Sequence, residues 1–348
     1  MRVRQKTYHK VERLLALLRG KSSMLIVMQD YPDPDAIAAA TALRTFANTK
    51  AEVQCSLAHG GTVGRAENRA LVDYLDLNLR PIRDLDVQRF DLVAMVDTQP
   101  GTGNNSLPSG IIPNIVIDHH PIRHATRRAE FTDVRGRYGA TCTILYEYLL
   151  AAKIAIEAPL ATALVYGIRS DTQDLGGETT RADIESYSAL YPLANRRMLE
   201  EIKSRRVPAA YFRLLMQGIV NARIFGARIL SDLGETDNPD MIGEIADLLL
   251  RKEGIVWALC YGKFEGRMLL SLRTSDPDAN AGRIIRAIIG KYGTGGGHNA
   301  LAGAQIDLTT LTEREHHFRE LVLLRRYVSL TGPKGDVSEP LVPLLNRP

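Results

Sequence analysis

Four acidic motifs punctuate the first half of the chain, each where an apolar pattern stops. Met24 to Met28 runs into Gln29-Asp30-Tyr31-Pro32-Asp33-Pro34-Asp35-Ala36. Leu92 to Val96 runs into Asp97-Thr98, and Ile111 to Ile117 into Asp118-His119-His120-Pro121. The fourth, Gly167-Ile168-Arg169-Ser170-Asp171-Thr172, closes a helical pattern. Short apolar runs separated by helical patterns predict parallel strands joined by crossover helices, an α/β fold. Unbroken apolar strands suit a sheet covered on both faces. In an open parallel sheet the carboxyl ends of the strands form the ligand crevice. Asp33, Asp35, Asp97, Asp118, His119 and His120 are therefore expected along one edge.

So many acids cannot crowd together without a counter-charge, because carboxylates raise one another's pKa. Divalent cations solve this, and carboxylate plus imidazole suits Mn²⁺, with Mg²⁺, Fe²⁺ or Co²⁺ as further candidates. Two such ions can activate a water and stabilise an in-line phosphoryl displacement. Each cluster alone has a plainer meaning. Asp33 and Asp35 suit a turn and a helix cap, with Asp35 as the N-cap. Asp97 suits a loop start, and Asp171 alone is unremarkable. Their ordered series at successive element ends favours the metal centre.

The remaining organisation follows from pattern changes. An amphipathic helix is expected at about 7–19, further helices at about 35–47, 65–75, 139–153, 158–169 and 181–193, and a strand at about 52–57. After about residue 195, Arg196-Arg197, Lys203 and Arg205-Arg206 mark a charged helical stretch. We read 1–195 as the first domain, 196–223 as a helical linker, 224–330 as a smaller α+β domain, and 331–348 as a loosely ordered tail. In the second domain, strands are expected at about 225–231, 255–261 and 267–273, and helices at about 240–252, 279–291 and 313–327. The run Gly293-Thr294-Gly295-Gly296-Gly297-His298 reads as a loop with open backbone N–H groups, suited to a phosphate or nucleotide. A second glycine-rich loop, His59 to Arg69, is balanced between a substrate loop and a plain turn. Trp257 reads as core.

Composition closes off other classes. Cys55, Cys142 and Cys260 form no Cys-x-x-Cys pair, so buried thiols in a reducing cytoplasm are expected. No run approaches the ~18 apolar residues of a membrane span. The net charge of +4 is no nucleic-acid footprint.

On Pro32-Asp33-Pro34-Asp35-Ala36, Val96-Asp97-Thr98, Asp118-His119-His120-Pro121 and Gly167 to Thr172, the chain resembles the DHH phosphoesterases. Ser271-Leu272-Arg273, Gly295-Gly296-Gly297-His298 and Ala302-Gly303 resemble the DHH-associated C-terminal domain. The resemblance spans about residues 24 to 310. It implies two α/β domains with the active site in the cleft between them. It implies that Asp33 binds one metal, Asp35 the other, and that Asp97 bridges both, with His119 and Asp171 completing the second site. His120 would contact the scissile phosphate, and Asp118 would orient both histidines from behind. A water between the metals would be the nucleophile, and Arg273, Gly295, Gly296, Gly297 and His298 would bind substrate. Gln29 departs from the pattern, since the small oligonucleotide-cleaving members carry His there; a weakened first metal site is expected. The implied substrates are small nucleotides or short single-stranded oligonucleotides such as pApA, dinucleotides or pAp, with a homodimer as the family-level assembly. A non-catalytic nucleotide sensor and a RecJ-like single-strand exonuclease are the alternatives. The glycine-histidine loop disfavours a family II pyrophosphatase, and the length leaves no room for the extra nucleic-acid domain of a RecJ-like enzyme.

Overall fold

A computed structural model describes residues 4–297, 299–333 and 337–342. The chain divides into two compact units, Met1–Arg206 and Val207–Pro348.

The first unit runs α1 (Gln5–Leu18), β1 (Ser23–Val27), α2 (Pro34–Ala51), β2 (Gln54–His59), α3 (Ala66–Tyr74), β3 (Leu79–Pro81), β4 (Leu92–Val96), β5 (Ile115–Asp118), β6 (Phe131–Val134), α4 (Thr141–Ala151), α5 (Ala158–Asp171), α6 (Arg181–Leu190) and α7 (Arg196–Lys203). Its six strands pair in parallel in the order β3-β2-β1-β4-β5-β6. Strand order reverses between β1 and β4, and this switch point is where ligands bind in such sheets. Residue alternation sorts the two faces. Met24, Ile26, Leu57, Leu92, Ala94, Val96, Ile115 and Ile117 face the larger core with the helices. Leu25, Val27, Val93, Met95 and Val116 face a smaller core built with Ile82 and Val87.

α2 shows why these residues make a helix and where they put it. Its first ten residues include five alanines, the strongest helix formers. Pro34 sits at its start, and the Asp33 carboxylate accepts the Ala36 N–H at 2.9 Å. Asp33 is therefore the N-cap, not Asp35 as expected, because Pro34 fits the first helical position. Glu52 ends the helix in the left-handed region, φ 56°, so the next strand starts at Gln54 rather than at residue 52. Ala36 to Leu43 are all buried, as a central helix requires. Gly167 of α5 packs on this helix: a Cβ there would lie 2.6 Å from Cys142 Sγ and 3.2 Å from Asp35 Cα. The absent side chain lets the helix that carries Asp171 approach Asp35. The edge strands β3 and β6, of three and four residues, were too short to leave a periodic signal.

The second unit runs α8 (Ala209–Val220), β7 (Arg223–Phe225), β8 (Arg228–Glu235), α9 (Asp240–Leu250), β9 (Trp257–Phe264), β10 (Arg267–Thr274), α10 (Ala281–Ile289), β11 (Thr294–Gly297), β12 (Leu301–Asp307), α11 (Glu313–Leu330) and β13 (Glu339–Pro340). Its mixed sheet has the order β11-β12-β10-β9-β8-β7-β13. The strand expected at 225–231 is two strands, because Gly226 turns the chain at φ 58°. Residues 295–297 are not an open loop: they pair antiparallel with Ala304 to Ala302 as the edge strand β11. Glycine at 295 permits close stacking, since a Cβ would meet Ala304 Cβ at 2.8 Å. In the tail, Glu339 and Pro340 pair with Ile224 and Arg223. Trp257 is buried in the core with Leu259, Leu272 and Tyr327. Cys142 and Cys260 are buried; Cys55 is only partly so, which corrects the expectation of three buried thiols.

Candidate metal centre

The turns after β1, β4 and β5 bring the acidic motifs together at the switch point, and the last turn of α5 adds Asp171. Asp97 directly follows β4 and adopts φ 59°, rare for a residue with a Cβ. Its N–H donates to Ile117 O at 3.1 Å, which ties the turn to the end of β5. Two groups have ligand atoms mutually within 4.8 Å: Asp97, Asp118, His119 and His120; and Asp35, His119 and Asp171. Asp33 belongs to neither group. One of its oxygens takes the Ala36 N–H and the other the Gln29 side-chain N–H at 2.8 Å.

The two imidazoles are held differently. His119 Nδ1 meets the Tyr138 carbonyl at 3.1 Å. A carbonyl only accepts, so Nδ1 carries the hydrogen and Nε2 is the nitrogen that faces the acids. It lies 3.0 Å from Asp171 Oδ2 and 3.5 Å from Asp97 Oδ1. His120 Nδ1 meets Asp118 Oδ1 at 2.7 Å, and the His120 side chain is 30% exposed against 5% for His119. Asp118 thus anchors the His120 ring directly, while the His119 ring is tied to the Tyr138 carbonyl.

Residues that the sequence did not single out complete the frame. Gln99 is fully buried and donates to Asp118 Oδ2 at 2.6 Å. Its side-chain oxygen Oε1 accepts the Arg123 N–H and the Thr126 hydroxyl at 2.8 and 2.7 Å. Thr141 donates its hydroxyl to Asp97 Oδ1 at 2.9 Å. The Thr141 and Cys142 N–H groups donate to the two Asp35 oxygens at 2.7 and 2.8 Å. Neutral polar residues carry no charge signal, and only a residue buried against Asp118 reveals Gln99.

Electrostatics follow from burial. Burial raises the Asp33, Asp35 and Asp171 carboxyls above the usual range; the charge of Asp35 adds to it at Asp33, and that of Asp171 at Asp35. Asp97 is pushed up furthest, by burial and then by the charges of Asp35, Asp33 and Asp171. Burial works against ionised Asp118 too, but the charge and hydrogen bond of His120 outweigh it and hold Asp118 at about 2. Burial also lowers His119, yet the hydrogen bond and charge of Asp171 lift it to about 10. The site therefore retains protons when no other positive charge is present. A divalent cation fits this donor set. Asp97 Oδ2 is buried with no hydrogen-bond partner, and the oxygen-plus-imidazole mixture is a ligand set for hard to borderline ions.

Elsewhere, the glycine loop before α3 packs against the first motif: Gly61 N–H donates to Asp30 O at 2.7 Å, and Asn68 Nδ2 to Pro32 O at 3.1 Å. In the second unit, Arg273 is already engaged. Its Nε donates to Asp247 and its Nη1 to Ser271 Oγ at 2.8 Å. His298 lies outside the described residues. No helix among the described residues is long and apolar enough to cross a membrane.

The parallel sheet thus gathers carboxylates and imidazoles at its switch point, where open α/β sheets bind their ligands. Residues 24–168 match the DHH family, N-terminal domain, and residues 221–323 match the DHHA1 domain. The chain belongs to the DHH family, with a DHHA1 domain at its C-terminal side. It is 35% identical over 291 residues to an uncharacterised protein of Methanocaldococcus jannaschii, which covers 83% of this chain and 59% of that protein. It is 28% identical over 266 residues to the A-adding tRNA nucleotidyltransferase of Aquifex aeolicus, covering 72% of this chain and 30% of that protein. The chain thus spans well under two thirds of these relatives. Among solved structures, an exopolyphosphatase-related protein from Bacteroides fragilis superposes with a TM-score of 0.71 at 14% identity, covering 92% of this chain and 97% of that one. RecJ from Thermus thermophilus, in complex with Mn²⁺, superposes at 0.53 and 15% identity, covering 94% and 55%. Both likenesses concern the fold.

Proposed function

We propose that the chain is a metal-dependent phosphoesterase that cleaves phosphoester bonds in small nucleotides or short single-stranded oligonucleotides, with Mn²⁺ as the favoured ion and Mg²⁺, Fe²⁺ or Co²⁺ as substitutes. The observation that carries this reading is Asp97: a buried carboxylate with an unpartnered oxygen, set among Asp35, Asp171 and His119. A bound divalent ion supplies Lewis-acid chemistry, polarising a phosphoryl oxygen and making a water acidic.

The residues divide the remaining work. Asp35, Asp97, Asp171 and His119 Nε2 would hold cations, and the backbone bonds to Asp35 keep it aimed at the site. His120 would meet the phosphate. Its Nδ1–H is anchored by Asp118, and when the ring carries a second proton its opposite nitrogen can donate to a phosphoryl or leaving oxygen. Asp118, held at about 2, stays a carboxylate throughout and stabilises positive charge on that ring. In the second unit, Arg273 and the glycine edge strand, with His298, would bind the nucleotide. A phosphate there has to share Arg273 with Asp247. Free Cys55, Cys142 and Cys260 suit a reducing compartment such as the cytoplasm.

The Gln29–Asp33 hydrogen bond favours a second reading, a nucleotide sensor, because it occupies an oxygen that a first metal would need. A panel of pApA, pAp and tripolyphosphate incubated with Mn²⁺ separates the readings. Turnover of a nucleotide supports the esterase, whereas tight nucleotide binding with no product from any member supports the sensor.

A further inference from the structure

The segment 138–142 touches the centre at several points: through the Tyr138 carbonyl on His119, the Thr141 hydroxyl on Asp97, and the Thr141 and Cys142 N–H groups on Asp35. Its N-cap, Ala140, has no side chain with which to fix the start of α4. Asp35 caps it from the metal side, and a second grip comes from α6. Asp183 Oδ2 accepts the Gly139 N–H at 2.9 Å, and Asp183 Oδ1 accepts the Thr143 hydroxyl at 2.5 Å. The same carboxylate accepts the Thr180 N–H and hydroxyl at 2.8 and 2.5 Å, closing the capping box of α6.

A capping box needs only its own helix. The bonds to Gly139 and Thr143 reach back 44 and 40 residues and add nothing to α6. The fit is tight: a Cβ at Gly139 would lie 2.5 Å from Glu178 O and 3.0 Å from Asp183 Oδ2. Asp183 is fully buried, and a carboxylate, which only accepts, matches four donors.

We propose that Asp183 is a positioning residue for the metal centre, gripping both sides of residues 139–143 so that His119, Asp97 and Asp35 keep their aim. This rests on the reading of the cluster as a metal site, not on any substrate.

The test uses the full chain with Asp183→Ala, Asp183→Asn and, as a control for general destabilisation, Leu14→Ala in the buried core. Co²⁺ titration followed by visible absorption reports affinity and ligand geometry. The ¹⁵N spectrum of the His119 ring in EDTA reports its bond to Tyr138. We expect Asp183→Ala to weaken Co²⁺ binding by about tenfold or more and to alter both spectra, as loss of a ligand's support does. Asp183→Asn, which keeps one acceptor oxygen, should recover part of the loss. Leu14→Ala should lower the melting temperature and leave affinity and spectra unchanged. A folded Asp183→Ala with wild-type affinity and spectra overturns the proposal, as does a Leu14→Ala that weakens Co²⁺ equally. If Asp183→Ala fails to fold, Thr143→Val, which removes one grip only, decides by the same readouts. If the wild type binds no Co²⁺, the metal reading fails, and the metal-free His119 spectrum alone decides whether Asp183 sets that ring.

Discussion

Asp35 closes the start of a helix that begins 106 residues later: its two oxygens accept the N–H groups of Thr141 and Cys142 at 2.7 and 2.8 Å. The bonds satisfy donors that a helix start leaves open. They also hold a buried carboxylate among Asp97, Asp171 and His119. One residue thus serves α4 and the centre together, and the cost of its burial is repaid only when a cation arrives.

Neutralising the most perturbed carboxylate should therefore stabilise the metal-free protein. Asp97→Asn keeps an oxygen for the Thr141 hydroxyl and removes the charge that burial and its neighbours oppose. In EDTA at pH 8, urea unfolding should show a gain of roughly 1 kcal/mol. Added Mn²⁺ should then raise the melting temperature of the wild type far more than that of the variant. A variant less stable in EDTA would contradict this.

The pH dependence has a definite sign. Asp33, Asp35, Asp97, Asp171 and His119 are all raised above their ordinary values, so the folded state holds more protons than the unfolded one. Stability that protonation provides is complete below the unfolded pKa and is lost as pH rises through the folded one. For His119 the window runs from its ordinary value, about 6.5, to about 10. Metal-free protein should lose stability from pH 6.5 to 9, by up to about 1.4 kcal/mol per pH unit for one proton. Mn²⁺ should flatten or invert the slope, because metal and protons compete. Asp118, held at about 2, acts oppositely: its contribution is lost only as pH falls from the ordinary carboxylate range through that value.

On the proposed reading, Gln29 would weaken a first metal site at Asp33. Its amide donates to Asp33 Oδ2. Gln29→His replaces that donor with a ring nitrogen able to bind metal, so Mn²⁺ calorimetry should show a second ion bound about tenfold more tightly. Unchanged stoichiometry and affinity would mean that Asp33 lies outside the centre.

Gly167 sets the approach of Asp171 to Asp35. A methyl there meets Cys142 Sγ at 2.6 Å and Pro34 O at 3.1 Å. Gly167→Ala should destabilise by roughly 1–3 kcal/mol, as overpacking does. It should also weaken metal binding, since α5 must move. Chemical denaturation and Co²⁺ titration measure the two effects separately.

The gathering of Asp35, Asp97, Asp118, His119, His120 and Asp171 was legible in the sequence, whereas Asp33, expected with them, stands outside both groups with its oxygens on the Ala36 N–H and the Gln29 amide. Asp118-His119-His120 ends a buried strand abruptly, and carboxylates at strand ends in a parallel sheet have one place to go. The supporting part was not. Gln99, Thr141 and Asp183 stand in unremarkable contexts, and the Tyr138 contribution is a backbone carbonyl that has no residue type. The glycine run at 293–297 misled because glycine tolerates strand and loop alike; only the partner strand from Leu301 decides between them. The Arg273–Asp247 pair was hidden because its members lie on different elements, 26 residues apart.

Hydrolysis of 5′-pApA in Mn²⁺, with the products separated and Asp97→Ala run beside the wild type, tests the central claim most directly. The account predicts AMP from the wild type, none without added metal, and none from the variant. Metal-loaded, folded wild-type protein that leaves both pApA and pAp intact, or an Asp97→Ala variant that cleaves pApA at the wild-type rate, would contradict it.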